Sequence, residues 1–175
     1  MPPFADIIGF LGVATNTVWP LFRGRTTMLV VQALGAAAFG LHYVLIGADT
    51  AAVLLVVAGL QALAAIPLGR KEAFRHIYLA TIPIIALIMA LSWHSIPSLF
   101  ASLGLATISL GRYQTNVLRF RFLLLACIPF WTVHNILVWS IPGLVSDAMS
   151  FASGLWMLLV TLREERRLAA AGSPA

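Results

Sequence analysis

Charge is what this chain has least of. Only 10% of its 175 residues are Asp, Glu, Lys or Arg, against 61% hydrophobic. Soluble domains average about 25% charged residues, and one of this length could not cover so much apolar surface. No long polar stretch marks a separate soluble domain. Cys127 is the only cysteine, so an intrachain disulfide is excluded; within an apolar run it reads as a buried, inert thiol. The segment Met1-Pro2-Pro3-Phe4-Ala5-Asp6 has no basic start and lacks the form of a cleavable signal peptide. HExxH, GxSxG, phosphate-loop and metal-spaced cysteine patterns are all missing. A histidine pair falls short of the three or four ligands zinc normally takes. No enzyme activity, metal or cofactor is therefore expected.

What is present is a series of apolar runs. A spanning helix needs about 20 mainly apolar residues. Seven segments come close: Ala5 to Phe22, Thr27 to Ile46, Thr50 to Leu68, Ile77 to Trp93, Pro97 to Gly111, Phe122 to Trp139, and Pro142 to Leu162. The stretch from Ile77 to Gly111 is tight for two crossings, and the charges decide it. Arg23 and Arg25 follow the first run, Arg70, Lys71 and Arg75 the third, Arg112, Arg119 and Arg121 the fifth, and Arg163, Arg166 and Arg167 the seventh. Seven crossings put all eleven basic residues on one side and Asp6, Asp49 and Asp147 on the other. Six would scatter them. The basic side is cytoplasmic by the positive-inside rule, so the N-terminus is expected outside and residues 163–175 form a cytoplasmic tail. The net charge of +5 then reflects topology and contact with anionic lipid, not nucleic-acid binding. Trp19, Trp93 and Trp139 lie near run ends, where amphipathic rings favour the membrane interface.

The chain also resembles itself. A shift of 92 residues places Leu11-Gly12-Val13-Ala14-Thr15 on Leu103-Gly104-Leu105-Ala106-Thr107, His42 on His134, Leu45 on Leu137 and Phe39 on Trp131. Apolar matches are common between membrane helices, but the chain has only four histidines. The copies would be 5–68 and 97–162, with 77–93 as a linker helix. Two three-helix units joined by one helix insert in the same orientation, related by an axis along the membrane normal. The fold expected is an all-α membrane protein of seven transmembrane helices in a 3+1+3 parallel-repeat arrangement.

This plan is similar to that of SWEET, PQ-loop and PnuC-type transporters, although the chain has no Pro-Gln dipeptide and Pro20 and Pro129 lack counterparts across the repeat. A closer resemblance rests on Trp131-Thr132-Val133-His134-Asn135, on Ser140-Ile141-Pro142-Gly143, on the small-residue run from Ser150 to Gly154 that leads into basic residues, and on His42 to Gly47. In these the chain resembles the YgjV family of bacterial inner-membrane proteins. That resemblance implies a multi-pass location in the inner membrane and carries no activity.

Polar residues inside a spanning helix are costly and mark function by default. Trp131, His134 and Asn135 share one helix face, and the repeat gives His42 a matching depth. These residues, with Thr15, Asn16 and Thr107 near the middle of their helices, are the candidates for a polar solute site. Gln32 and Gln61 are weaker ones. Asp147 could relay a proton to His134 or merely favour a helix N-terminus. Two readings of the histidines stand. Either they line a binding site, or they hydrogen-bond between helices as structural ties. The first makes the protein a small-solute transporter or facilitator. The second makes it a non-transporting assembly or sensor component, with a closed interior. The bilayer is the expected partner of either, an unknown small polar solute that of the first, and homo-oligomerisation is compatible with both.

Overall fold

The computed structural model describes residues 3–18, 22, 25–68, 71–93 and 95–171. Trp19, Pro20, Arg23, Arg70, His94 and the last four residues lie outside them. Every regular element described is helical: α1 (Pro3–Val18), α2 (Arg25–Leu45), α3 (Asp49–Leu68), a single 3-10 turn (Glu72–Arg75), α4 (His76–Leu91), α5 (Ile96–Tyr113), α6 (Val117–Ala126), α7 (Ile128–Leu137) and α8 (Ile141–Ala171). Five stretches are long and apolar enough to cross a membrane: Thr26–Leu45, Asp49–Leu68, Glu72–Leu91, Val117–Leu137 and Ile141–Arg167. The apolar stretch of α1, Phe4–Val18, is shorter.

Helix α5 is not among the five, and its surroundings explain why. It packs against α3, α4, α6 and α7 and buries Ser98, Ser102, Gly104 and Ser109. A helix enclosed by protein does not need the hydropathy of one facing lipid. Outward faces elsewhere are apolar, with Leu60, Phe122 and Trp156 all exposed, as expected of surface in contact with acyl chains.

Two boundaries differ from the sequence expectation. The sixth run starts at Val117, not Phe122, and is broken at Cys127 into α6 and α7. Pro129 has no N–H to return to the carbonyl four residues earlier, and such a position interrupts a helix. Asn116 fixes the early start, its Oδ1 accepting from the Arg119 N–H at 2.9 Å as an N-cap. The last helix does not stop with its apolar run at Leu162: the charged segment Arg163 to Arg167, whose i,i+3 and i,i+4 spacing suits a solvated helix end, continues it, and it reaches Ala171.

Helix α2 lies between α1 and α3, and α5 packs on α6 and α7, which both meet α8. The two groups touch along α1–α8 and α3–α5. Their local geometry recurs at the 92-residue shift. Helix α2 ends with Gly47 at φ 74°, and α7 ends with Trp139 at φ 57°. At the first end the Gly47 N–H bonds Val44 O at 3.1 Å and the Ala48 N–H bonds Tyr43 O at 2.8 Å. At the second the Trp139 N–H bonds Ile136 O at 3.2 Å and the Ser140 N–H bonds Asn135 O at 2.9 Å. Both are Schellman ends, which require a left-handed residue. Glycine takes that conformation without strain; tryptophan does so at a cost of about 1–2 kcal/mol.

Candidate functional site

The histidines form matching contacts. His42 Nδ1 lies 2.8 Å from the Ala5 carbonyl and His134 Nδ1 lies 2.9 Å from the Pro97 carbonyl, each spanning 37 residues of sequence. Each ties the end of one helix to the start of another, α2 to α1 and α7 to α5. The packing beneath them recurs as well. A Cβ on Gly12 would sit 2.6 Å from the Phe39 ring, and one on Gly104 would sit 2.6 Å from Trp131 Nε1. Glycine at these two positions lets an aromatic ring lie directly on the neighbouring helix backbone.

A carbonyl only accepts, so each Nδ1 carries the proton and each Nε2 presents a lone pair. Here the two histidines differ. His42 Nε2 meets the Ser140 hydroxyl at 2.8 Å, and Ser140 Oγ in turn accepts from the Gly143 N–H at 3.1 Å. His134 Nε2 is buried with no partner among the described residues. Ala48 stands at the position equivalent to Ser140 and has no hydroxyl to offer.

Between the histidines, Tyr43 donates to Asn135 Oδ1 at 2.7 Å. These residues are themselves 92 apart, so equivalent positions touch each other. Asn135 Nδ2 continues to Asp147 Oδ2 at 2.9 Å. The Tyr43 ring stacks on Trp131 at 6.3 Å and meets His134 edge-on at 5.3 Å. His42, Tyr43, His134 and Asn135 are each at most 3% exposed. The cluster is close-packed: a Cβ on Gly143 would fall on the Asn135 amide.

Of the residues expected from sequence, this cluster unites His42, Trp131, His134, Asn135 and Asp147. It does not include Thr15, Asn16 or Thr107. Thr15 and Thr107 bond carbonyls of their own helices, Leu11 and Gly12 for the first and Leu103 for the second. Asn16 donates to Ser146 Oγ of α8 at 3.2 Å. Asn16 is eleven residues along α1 from Ala5, or about 16 Å at 1.5 Å per residue, so it lies at a different level from the histidine cluster. Sequence reasoning missed Tyr43 and Ser140. The signal for Tyr43 was its alignment with Asn135 in the repeat.

A second polar group lies toward the opposite helix ends. Gln61 Nε2 donates to Thr81 Oγ1 at 2.9 Å and Ser109 Oγ at 3.3 Å, and Gln61 Oε1 accepts from Arg112 at 2.7 Å. Next to it a cavity of about 360 Å³ is lined by residues of α2, α3, α4, α5 and α6, including Gln32, Tyr78, Arg112 and Gln114. Gln32 and His42 both belong to α2, ten residues and therefore about 15 Å apart. Among the described residues no three His, Cys, Asp or Glu side chains gather closely enough to hold a metal ion.

Comparison with known proteins agrees with the apolar architecture. A family model described as a bacterial inner membrane protein, Imp-YgjV, matches residues 3–165. Searches of curated proteins and of solved structures return no match. With nearly the whole helical bundle covered by that family, the chain belongs to the YgjV family of bacterial inner membrane proteins, and it is a multi-pass protein of the inner membrane.

Proposed function

We propose that the protein is a small-solute transporter or facilitator, not an enzyme, in which two three-helix halves move about a central axis. The halves are α1–α3 and α5–α8, with α6 and α7 forming one broken span and α4 linking the copies. The reading has seven crossings, the N-terminus outside and the C-terminus cytoplasmic. It is supported by the paired histidine contacts, by the recurring helix ends at Gly47 and Trp139, and by contacts α1–α8 and α3–α5, which are equivalents of each other under the repeat.

One observation carries it. At one end the halves are latched by Tyr43–Asn135 and His42–Ser140; at the other a cavity opens between them beside Arg112, where Gln61 of α3 bonds Arg112 and Ser109 of α5. A carrier closed outward and open toward its basic side has this form, and alternating access requires the latch to part when the cavity closes. The latch is made of hydrogen bonds between helices, worth on average about 0.6 kcal/mol each in a membrane protein. That is weak enough for solute binding to shift the equilibrium.

The closed cluster also suits the second reading, in which the histidines only tie helices together. Proteoliposome uptake across sugars, vitamins, polyols and small carboxylates distinguishes them. Paired cysteines at positions 43 and 135, in a Cys127→Ala background, supply the control. The transporter reading expects uptake that ceases on oxidative cross-linking and returns on reduction. Absence of uptake over the whole panel, with a Ser140→Cys thiol never reached by impermeant reagent from outside, would favour the structural reading.

A further inference from the structure

We infer that Arg112 forms an anion-binding site at the cavity between α2, α3, α4, α5 and α6, and that its ligand is a small solute bearing a carboxylate or phosphate. The inference rests on the transporter reading for how the ligand moves, but not for whether it binds.

The guanidinium bonds a neutral group, Gln61 Oε1, at 2.7 Å, and its Cζ lies 6.0 Å from the centre of the Tyr78 ring. Among the described residues no carboxylate pairs with it. The chain has six acidic residues. Asp6, Asp49 and Asp147 belong to the starts of α1, α3 and α8, at the far end of the bundle. Glu164 and Glu165 sit exposed on the tail helix, and Glu72 is exposed in the 3-10 turn. A half-buried cation without a counter-charge is costly at a membrane helix end and calls for a ligand or a partner.

The surroundings hold the cation in place. Gln61 is 3% exposed, and its amide orientation is fixed because Nε2 donates to Thr81 and Ser109. Thr81 is itself bonded to the Tyr78 carbonyl at 2.7 Å. Gln61 takes one of the guanidinium's five donors and leaves four for a ligand in the cavity that Arg112 lines. Guanidinium donors match carboxylate and phosphate oxygens in paired, parallel bonds. The other polar side chains lining the cavity, Gln32, Tyr78, Gln114 and Thr115, can all donate, and no acidic side chain lines it. Leu29, Ala62, Val117 and Phe120 supply apolar wall. A cavity of about 360 Å³ with few polar groups on an apolar wall has the make-up of small-molecule sites. Position 112 is also where the repeat fails, since its equivalent is Pro20; one half alone carries the cation.

Free anions and lipid headgroups share this chemistry. The test uses the full-length protein in phosphatidylcholine nanodiscs, with thermal stability and calorimetry read against inorganic phosphate, acetate and succinate, and against glucose and choline as neutral and cationic controls. A parallel set adds phosphatidylglycerol. Saturable binding of one or more of the anions is expected, and of neither control. Arg112→Gln should weaken it about ten-fold or more, the loss expected for a charged hydrogen bond, whereas Arg119→Gln should leave it intact. Gln61→Glu places a carboxylate against Arg112 and should abolish anion binding in a protein that remains folded, which guards against misfolding of Arg112→Gln. An effect seen only with phosphatidylglycerol, and lost in Gln61→Glu, supports the site with a lipid headgroup as its source. Anion effects absent throughout, or equal in all variants, overturn it. Binding without uptake would keep the site and sink the transporter reading; uptake indifferent to Arg112 would do the reverse.

Discussion

The two ends of the bundle treat polarity in opposite ways. Around Tyr43 and Asn135, polar groups are spent on each other: hydroxyl, amide, carboxylate and imidazole close a network with rings packed over glycine. Around Arg112, polar groups are assembled and then left facing a cavity. The same resource, a few hydrogen-bonding side chains in an apolar chain, closes a network at one end and lines a cavity at the other. The difference lies in packing: where glycine admits a ring the gap is filled, and beside Arg112, where residues of α2 to α6 line a cavity, it is not.

Substitutions should separate these roles. The largest effect is expected for Asn135→Leu, which strands the Tyr43 hydroxyl and the Asp147 carboxylate; unsatisfied buried groups cost about 1–3 kcal/mol each. Unfolding in detergent should show a loss near the top of that range, whereas Gln114→Ala at the cavity rim should change stability by less than about 0.5 kcal/mol. A similar loss in both would erase the contrast between the ends. Next come Gly12→Ala and Gly104→Ala. Each drives a methyl into an aromatic ring and should cost about 1–3 kcal/mol by overpacking, with comparable values because the contacts match. A neutral result for one alone would break the equivalence of the halves.

Smaller effects compare the histidines. His42→Ala removes two hydrogen bonds and His134→Ala removes one, so His42→Ala should be the more destabilising by about 1 kcal/mol. Equal losses would argue that the Ser140 bond contributes nothing. Last, Ala48→Ser should give His134 Nε2 the hydroxyl that Ser140 gives His42. A gain of about 0.5–1 kcal/mol is expected, and it should vanish in the His134→Ala background. A gain that persists there would assign it to something other than His134.

The helical bundle was readable because lipid-facing surface writes itself into hydropathy, and His42 and His134 were readable because histidine is rare enough for a coincidence at one shift to mean something. Tyr43 was not, since an aromatic residue in an apolar run is silent about its hydroxyl. Thr15, Asn16 and Thr107 were expected near the middle of their helices, and the rise of the helix keeps that level about 15 Å from the histidines. The break at Cys127 was foreshadowed by Pro129. The left-handed Trp139 was not, because its equivalent Gly47 announces such a turn and a tryptophan conceals it. Arg112 looked like one more topological charge, and only the tertiary arrangement shows that a cavity opens beside it and no carboxylate does.

The contact between Tyr43 and Asn135 has one more consequence. Where equivalent positions of two copies meet, a dimer of identical subunits must present the same side chain twice, so neither can specialise. Within one chain the two positions can differ: in this contact Tyr43 donates, and Asn135 accepts and passes the connection on to Asp147. A direction is thereby built into a contact that symmetry alone would have left without one.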